Sequence, residues 1–469
     1  MNTELIPIIK GQWLDKALES YNSTYKTIPT DVILNKVLTG LGATHMEIKA
    51  KRHSIIIEPN VPVILGKVEQ HKDALAIRKG CTKNQIKKYL NNSKIKYKKL
   101  LSTPEGYKKI RDVINDGFQY IYNDYFMLFD ECEKITQDHD YRPNISIPLN
   151  DFFHNFKNRA FVSATPLTPS DPRFVDQNFR ILKIVPQFNY KKDLDLIATN
   201  DFETELLNYF KKYKKSDCIC IFLNKTDNIN RIINTLGIAK ESKVFCSKES
   251  KEKLKKLEFE TYEHLDLPLA KYNFFTSRFY SAVDIKLTSK RTPDVLILTD
   301  KHPYTRVDPQ TESIQIQGRF RNGIKSLTHI AYYNEDIEVL SSTDIQVMLD
   351  AMKAVYDAVN KTRQTFAFSF SHIPNNEIRK QLEKLEYAKY LDENKNLNFF
   401  AVDNLHYDNK INSYYKSPDA LKQAYEETDY FNVNYKRIDN ATTLDILKLK
   451  ELSLKEQRRN IVSQLVKIE

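Results

Sequence analysis

The chain has few glycines, few cysteines and no long hydrophobic run. Only 10 of its 469 residues are glycine and only 5 are cysteine, while 41% are hydrophobic. No stretch of about 18 apolar residues occurs, which argues against a membrane-spanning helix and a membrane partner. The first residues lack the basic segment and cleavage site of a secretory leader, and a sparse, odd set of cysteines is typical of a reducing compartment. We therefore expect a globular, cytoplasmic protein.

Positive charge is concentrated in the first three quarters of the chain. The formal net charge is +11, and residues 341–469 hold 19 basic and 19 acidic residues, so the whole excess falls within the first 340. A basic excess confined to one part favours a polyanionic partner such as nucleic acid. A general contribution to solubility is the alternative interpretation.

Short apolar runs alternate with amphipathic segments over most of the first 335 residues. This alternation is typical of α/β domains with parallel sheets. Two series of runs are predicted to form buried strands: 37–38, 54–57, 125–129 and 159–163, then 218–223, 243–245, 272–275, 295–298 and 329–332.

The pattern predicts three regions. Four prolines between Pro166 and about Asn200 indicate a linker, and the pattern becomes helical after about residue 340, ending in the amphipathic stretch 444–466. We predict two α/β domains, at 1–185 and 186–340, and a mostly helical accessory region at 341–469.

Segment 37–44 has the arrangement of a phosphate-binding loop. It precedes a predicted helix from Thr44 to Lys51, so glycine N–H groups would face phosphate oxygens, and Thr44 occupies the position of a magnesium-binding hydroxyl. Ala43 stands where a lysine is expected, and an ordinary strand–turn–helix unit is the alternative. The candidate nucleotide-binding residues here are Thr39, Gly40, Leu41, Gly42, Ala43 and Thr44.

Two carboxylates follow the apolar run 125–129. At the end of a buried strand, Asp130 can hold magnesium and Glu131 can orient an attacking water. An acidic surface turn is the alternative. Much later in the chain, Arg319 and Arg321 lie beside Gly318, and arginines near a glycine can neutralise charge on a transferred phosphoryl group.

The order and spacing of these segments resemble superfamily 2 helicase-like NTPases of the DEAD/DEAH type. The glycine loop resembles motif I and residues 130–133 resemble motif II. The triplet 163–165 resembles motif III, and the set Gln315, Gly318 and Arg319 resembles motif VI.

This resemblance covers about residues 30–335 and implies two tandem RecA-like domains with ATP and Mg²⁺ between them. It implies that Thr44 and Asp130 bind the metal, that Glu131 serves the water, and that Arg319, with Arg321 beside it, acts as an arginine finger. It also implies nucleotide contacts by Gln315, Gly318 and Asp284, and coupling of ATP to nucleic acid by Ser163, Ala164 and Thr165.

Two departures from the family pattern bear on hydrolysis. Ala43 replaces the motif I lysine, and Asn322 replaces the second arginine of motif VI. Another cation would have to substitute for the lysine, and the sequence leaves four candidates open: Lys36, Lys49, Lys51 and Arg52. Similar loops are associated with helicase-like proteins of phages and mobile elements, which would place the protein in a bacterial or infected host cell.

Nucleic-acid contacts are expected at two sets of residues. By resemblance, Pro59, Asn60, Thr103, Asn224 and Thr276 lie in motifs that meet nucleic acid. Residues 78–99 hold nine basic and no acidic residues, so Lys87, Lys88, Lys98 and Lys99 are predicted to contact phosphates, with a solvated lysine-rich helix as the alternative.

The sequence thus predicts a helicase-like ATPase that binds nucleic acid, with single-stranded DNA favoured over RNA. A catalytically weak or inactive binding module is the second hypothesis. A translocase acting on another substrate, with a protein partner docked on 341–469, is the third.

Overall fold

The computed structural model describes residues 1–254, 259–281, 283–288, 291–365 and 373–439. The predicted amphipathic stretch 444–466 lies outside these ranges. Within them, no helix has the length and apolar character needed to cross a membrane.

The first domain is built on a parallel sheet of eight strands in the order β1-β8-β2-β7-β6-β3-β5-β4. Its strands are β1 (Thr3–Ile8), β2 (Val32–Asn35), β3 (His53–Ile57), β4 (Ala74–Ile77), β5 (Lys99–Ser102), β6 (Tyr125–Asp130), β7 (Asn158–Ser163) and β8 (Arg180–Pro186). Its helices are α1 (Leu14–Tyr21), α2 (Ala43–Lys49), α3 (Val61–Gln70), α4 (Lys83–Leu90), α5 (Tyr107–Asn115), α6 (Ile121–Asp124), α7 (Lys134–Gln137), α8 (Pro148–His154) and α9 (Arg173–Asp176).

The second domain has a parallel sheet of the same size, in the order β12-β11-β13-β10-β14-β15-β9-β16. Its strands are β9 (Lys192–Thr199), β10 (Ile219–Phe222), β11 (Ser242–Phe245), β12 (Glu260–Tyr262), β13 (Tyr272–Phe275), β14 (Asp294–Thr299), β15 (Ser326–Tyr332) and β16 (Phe431–Ile438). Its helices are α10 (Phe202–Lys212), α11 (Thr226–Leu236), α12 (Lys248–Leu254) and α13 (Glu312–Gly318).

The remaining described helices belong to the C-terminal region. They are α14 (Ser342–Thr365), α15 (Ile373–Lys384), α16 (Phe399–Tyr414) and α17 (Pro418–Glu426). The predicted fold class is confirmed: two tandem α/β domains with parallel sheets are followed by a mostly helical region.

Continuous apolar sequence explains why the central strands form where they do. Every residue of β6, with the sequence YFMLFD, is buried, because helices cover both faces of a parallel sheet. The predicted strand at 37–38 is wrong, since the strand ends at Asn35 and Val37 already has a left-handed φ of 59°.

The predicted linker is also wrong for most of its length. Residues 180–186 and 192–199 are the paired strands β8 and β9, so only residues 187–191 connect the two sheets. The alternating burial of β9 hid this strand from a search for continuous apolar runs. The same holds for β16, which alternates in burial and joins the second sheet beside β9.

Helix α16 packs against both domains. Near its start, Phe400 is buried in the core of the first domain together with Phe161 and Phe174. At its end, Tyr414 and Tyr415 lie in the core of the second domain. One helix of the C-terminal region therefore completes the hydrophobic core of each domain.

A buried histidine attaches this region to the first domain. The side-chain N–H of Asn398 donates to His139 Nε2 over 2.9 Å, and His139 is only 4% exposed. Burial lowers the pKa of His139 from 6.5 to about 4. The folded protein therefore holds this imidazole neutral.

The His139 site predicts a pH-dependent stability. Between its folded and unfolded pKa values the unfolded chain binds the extra proton, so stability is lost as pH falls through this window. From about pH 7.5 to about pH 5, we expect wild type to lose about 2 kcal/mol more unfolding free energy than His139→Gln. Urea titrations at both pH values measure this, with exposed His154→Gln as the matched control. Equal pH dependence in wild type and His139→Gln would contradict the prediction.

Candidate nucleotide and nucleic-acid sites

The order of the central strands brings three predicted segments together. Strand β7 pairs with β2 on one side and with β6 on the other. Because parallel strands end at the same edge of a sheet, the glycine loop after β2, the triplet 163–165 after β7 and the carboxylates after β6 meet there.

The glycine loop has a backbone that depends on left-handed residues. Gly40 and Gly42 have φ angles of 79° and 85°, and Gly42 forms the N-cap of α2. The amide of Lys36 donates to the carbonyl of Ser163 over 2.7 Å, which joins the start of the loop to β7.

Thr44 and Asp130 are in direct contact. The Thr44 hydroxyl donates to Asp130 Oδ2, and both residues are buried. Burial alone would raise the pKa of Asp130, but the charges of Lys36 and Lys67 and the Thr44 hydrogen bond hold it below its usual value. Asp130 is therefore an ionised carboxylate beside a hydroxyl.

A buried lysine accompanies these carboxylates. Lys36 is only 6% exposed, and its Nζ lies 3.5 Å from Asp130 Oδ1 and 4.0 Å from Glu131 Oε1. Burial would lower the pKa of this lysine, but the charges of Glu131 and Asp130 raise it above its usual value. The site thus contains a cation, although Ala43 holds the usual lysine position.

The other three cations proposed from the sequence lie elsewhere. Arg52 pairs with Glu47 and stacks on Phe126, with its Cζ 3.4 Å from the ring centroid. Lys49 and Lys51 are exposed. Of the four candidates, Lys36 is the one in contact with the carboxylates.

Gln315 of α13 crosses from the second domain to the first. Its amide Nε2 lies 3.1 Å from Glu131 Oε2 and 3.3 Å from Thr165 Oγ1. On the other side, the Ser163 hydroxyl donates to Glu131 Oε2 over 3.3 Å, and the amide of Thr165 donates to Ser163 Oγ over 3.0 Å. Glu131 is therefore held from both domains. Ala164, between Ser163 and Thr165, is buried.

The two arginines differ in what they touch. Arg319 is buried and donates to Gln315, through Nε to the carbonyl over 2.9 Å and through Nη2 to Oε1 over 2.8 Å. Arg321 pairs with Asp284, with Nη2 2.7 Å from Oδ1, and its guanidinium lies against Gly40.

Arg321 is therefore the arginine that reaches the glycine loop, whereas Arg319 orients Gln315. Asn322 has a structural contact, because its amide donates to the carbonyl of Leu287.

Two buried carboxylates beside the site have unpaired oxygens. Glu58 Oε1 and Glu133 Oε2 are buried without a hydrogen-bond partner. Burial raises the pKa of each to about 8, reinforced at Glu58 by Asp130 and at Glu133 by Glu131. The sequence places Glu58 directly before the predicted contact residue Pro59, but sequence analysis gave it no role of its own.

The donor set fits a magnesium ion that is bound together with phosphates. The hydroxyl of Thr44 and the carboxylate of Asp130 are the hard oxygen ligands that Mg²⁺ prefers. Among the described residues, no group of three His, Cys, Asp or Glu side chains forms a complete metal cage.

Trp13 is a site residue that sequence analysis missed. Its indole lies against Gly42, and the Leu14 amide donates to the carbonyl of Leu41 over 3.3 Å. The ring is nevertheless 62% exposed. Trp13 is the one tryptophan in the chain. This rarity is the one sequence signal that could have drawn attention to it.

A large cavity lies between the two domains, beyond Glu131. Its volume is about 1090 Å³, and five residues predicted to bind nucleic acid line it: Pro59, Asn60, Thr103, Asn224 and Thr276. Charged side chains of both signs face it from both domains, among them Arg142, Arg278 and Glu249. Tyr407 and Asn412 of α16 add a third wall that the sequence did not predict. We call this cavity the interdomain channel.

The four predicted lysines do not line this channel. Lys99 is buried and donates to the Glu47 carbonyl over 2.6 Å, and burial lowers its pKa to about 8. Lys98 donates to the carbonyls of Asn92 and Ile95. These structural roles argue against nucleic-acid contacts by Lys98 and Lys99, because β5 begins there and draws both lysines inward. Lys87 pairs with Asp116, and Lys88 is exposed.

Neither family models nor curated proteins match this sequence. Among solved structures, Mycobacterium smegmatis helicase Lhr bound to ssDNA and AMP-PNP is 12% identical over 65% of this chain and 44% of its own, with a TM-score of 0.40. RecG bound to a three-way DNA junction is 12% identical over 82% and 47%, with a TM-score of 0.37. S. cerevisiae Dbp5 bound to RNA and ADP BeF3 is 13% identical over 80% and 98%, with a TM-score of 0.42.

The chain spans less than half the length of Lhr and RecG. Identities this low and TM-scores below 0.5 carry no function over to this chain.

The close approach of Gly318 in the second domain to Thr39 in the first predicts that Gly318→Ala pushes the two domains apart. An added Cβ would lie 2.7 Å from Thr39 Cβ, so the glycine loop and α13 must separate. We expect a larger radius of gyration by small-angle X-ray scattering, restored by adding Thr39→Gly. Gly66→Ala is the matched control, because nothing lies within 4 Å of its added Cβ. An unchanged radius of gyration for Gly318→Ala would contradict this prediction.

Proposed function

We propose that the chain is a helicase-like ATP hydrolase that binds single-stranded nucleic acid in the interdomain channel. One observation carries this proposal: the two domains converge on Glu131. Ser163 and Lys36 hold this carboxylate from the first domain, and Gln315 holds it from the second. A carboxylate positioned in this way suits activation of a water for attack on a γ-phosphate.

The side chains divide the work of hydrolysis. The glycine loop, from Thr39 to Thr44, binds phosphate oxygens through its amides. Thr44 and Asp130 hold Mg²⁺, which when bound neutralises phosphate charge. Glu131 orients the attacking water and accepts its proton. Lys36 and Arg321 place positive charge beside the phosphates, and Asp284 fixes the orientation of Arg321.

Binding of a strand is coupled to this chemistry through shared residues. Thr165 and Gln315 contact each other across the domain boundary. Residues on the same two domains line the channel, so closure on ATP brings both channel walls against a strand. Polar channel residues such as Asn60, Thr103 and Thr276 suit contacts to the sugar–phosphate backbone. Single-stranded DNA remains our favoured partner over RNA.

The function is tested by ATP turnover with and without single-stranded DNA and RNA of matched sequence. We expect stimulation by the strand, greater with DNA, and loss of turnover in Glu131→Gln. The absence of turnover in wild type, with nucleic acid still bound, would contradict hydrolysis.

Replacing Lys36 tests the source of the cation. Lys36→Met removes the charge and keeps the length, and we expect turnover to fall by about 10²-fold or more, as when one donor to transition-state charge is removed. Lys49→Met is the matched control, since Lys49 is an exposed lysine on α2. Turnover at the wild-type level in Lys36→Met would show that Lys36 does not replace the lysine missing at position 43.

A rescue variant separates catalysis from folding. Adding Ala43→Lys to Lys36→Met restores the usual lysine position, and we expect it to recover turnover. Melting temperatures of all variants report folding independently. Recovery of the melting temperature without recovery of turnover would count against a role for the cation in catalysis.

Trp13 is proposed to hold the adenine base. Its exposed indole beside Gly42 offers a stacking surface, and alanine substitution of such a ring costs about 1–3 kcal/mol per base. We expect Trp13→Ala to weaken ATP binding about tenfold or more and to leave inorganic triphosphate binding unchanged, with Tyr21→Ala of α1 as control. Equal weakening of both ligands would contradict base stacking.

A binding module that hydrolyses little is the second candidate. Its support is that Arg319 is fully engaged with Gln315 rather than with the loop, while α16 holds the domains closed. In that case the Glu131→Gln and Lys36→Met variants would bind nucleic acid like wild type, and all three proteins would lack turnover.

A further inference from the structure

A second cavity, with a basic lining, lies at the outer edge of the first domain. It has a volume of about 490 Å³ and is situated between β4, the edge strand of the sheet, and α4. Arg78, Lys79 and Lys88 contribute its charge, and Gln85 and Asn92 contribute amides. None of its described lining residues is acidic. We call this cavity the edge pocket.

The cations of the edge pocket are free, unlike their neighbours on α4. Lys83 pairs with Asp112 and Lys87 with Asp116, each over 3.1 Å. In the described part of the chain, no ion pair engages Arg78, Lys79 or Lys88, and all three are exposed. Helix α4 therefore presents a neutralised side to α5 and a charged side to the pocket.

Strand register places the edge pocket directly beside the interdomain channel. Ile77, the last residue of β4, pairs with Ser102, the last residue of β5, so Arg78 and Thr103 follow the ends of neighbouring strands. Thr103 lines the channel. The loop after β4 is held to α5, because Lys109 Nζ donates to the carbonyls of Arg78 and Cys81 over 2.8 and 2.9 Å.

The acidic channel residue closest in sequence to Thr103 is already paired. Glu105, two positions after Thr103, pairs with Arg142 over 2.8 Å. Its charge is therefore neutralised where a strand would leave the channel over Thr103.

We propose that the edge pocket binds the phosphodiester backbone of the same nucleic-acid strand where it emerges from the channel. The proposal rests on the proposed function, because the channel must hold the strand. Free lysines and arginines suit a phosphate backbone. The amides of Gln85 and Asn92 and the ring of Tyr89 provide further polar and stacking contacts. Continuity with the channel favours nucleic acid over an acidic peptide.

Oligonucleotide length and salt dependence test the proposal in the full chain. The variant is Arg78→Ala, Lys79→Ala and Lys88→Ala together, and fluorescence anisotropy measures its affinity for oligothymidylates of about 6 and about 20 nucleotides. For the long strand, three lost phosphate contacts should reduce the magnitude of the slope of log K against log salt by about 2, and affinity should fall about tenfold or more at low salt. The short strand, which fits within the channel, should bind like wild type.

A matched charge control distinguishes the pocket from general electrostatics. Lys83→Ala with Lys87→Ala removes two paired lysines from the same helix, and we expect a much smaller change in slope. An equal change in this control, or an unchanged slope in the triple variant, would overturn the edge pocket.

Two further outcomes separate the remaining explanations. Failure of wild type to bind either strand would overturn the proposed function itself, and the edge pocket with it. Oligoglutamate that displaces the long strand from wild type but not from the triple variant would assign the pocket to acidic peptides and overturn the nucleic-acid assignment.

Discussion

Pairing of buried charge at the boundary between the domains is the constraint on which the rest of the structure depends. Asp130, Glu131 and Glu133 are all buried there, and a buried charge is costly unless it is paired. Lys36 contacts the first two carboxylates. Gln315 reaches Glu131 and Glu133 from the second domain, and protonation of Glu133 removes one charge at neutral pH, since its pKa is raised to about 8. The closed arrangement of the domains is thus needed to satisfy groups that the first domain alone leaves unsatisfied.

The same constraint explains how a loop without its usual lysine can still have a positive charge beside it. The cation comes from the residue directly after β2, eight positions before Thr44. The backbone turns away from β2 at Val37, in a left-handed conformation that is uncommon for a β-branched residue, while the Lys36 amide remains bonded to β7. Local strain of this kind persists where surrounding contacts determine it. Here the Val37 amide donates to Asn35 Oδ1 and the Lys36 amide to the Ser163 carbonyl.

Much of the fold could be predicted from sequence because its central strands are continuous apolar runs. The runs at 54–57, 125–129 and 159–163 became β3, β6 and β7. Strands β8, β9 and β16 were missed because one of their faces is partly exposed and their apolar residues alternate. At the site, the linear order of motifs pointed to Asp130, Glu131 and Gln315. No sequence pattern distinguishes Lys36, whose side chain is buried against the carboxylates, from Lys49, which is exposed. Likewise, Lys98 and Lys99 belonged to a basic run whose last part enters the sheet, and burial in a strand depends on tertiary pairing.

The path of α16 has a consequence for how the molecule unfolds. Phe400 at one end of this helix fills the first core, and Tyr414 and Tyr415 at the other end fill the second. Strand β16, which follows shortly after, pairs along the whole of β9. Neither core is complete without the same stretch of chain, so loss of one exposes apolar surface in the other. We therefore expect the two sheets to unfold together, in one transition, rather than as two independently stable halves.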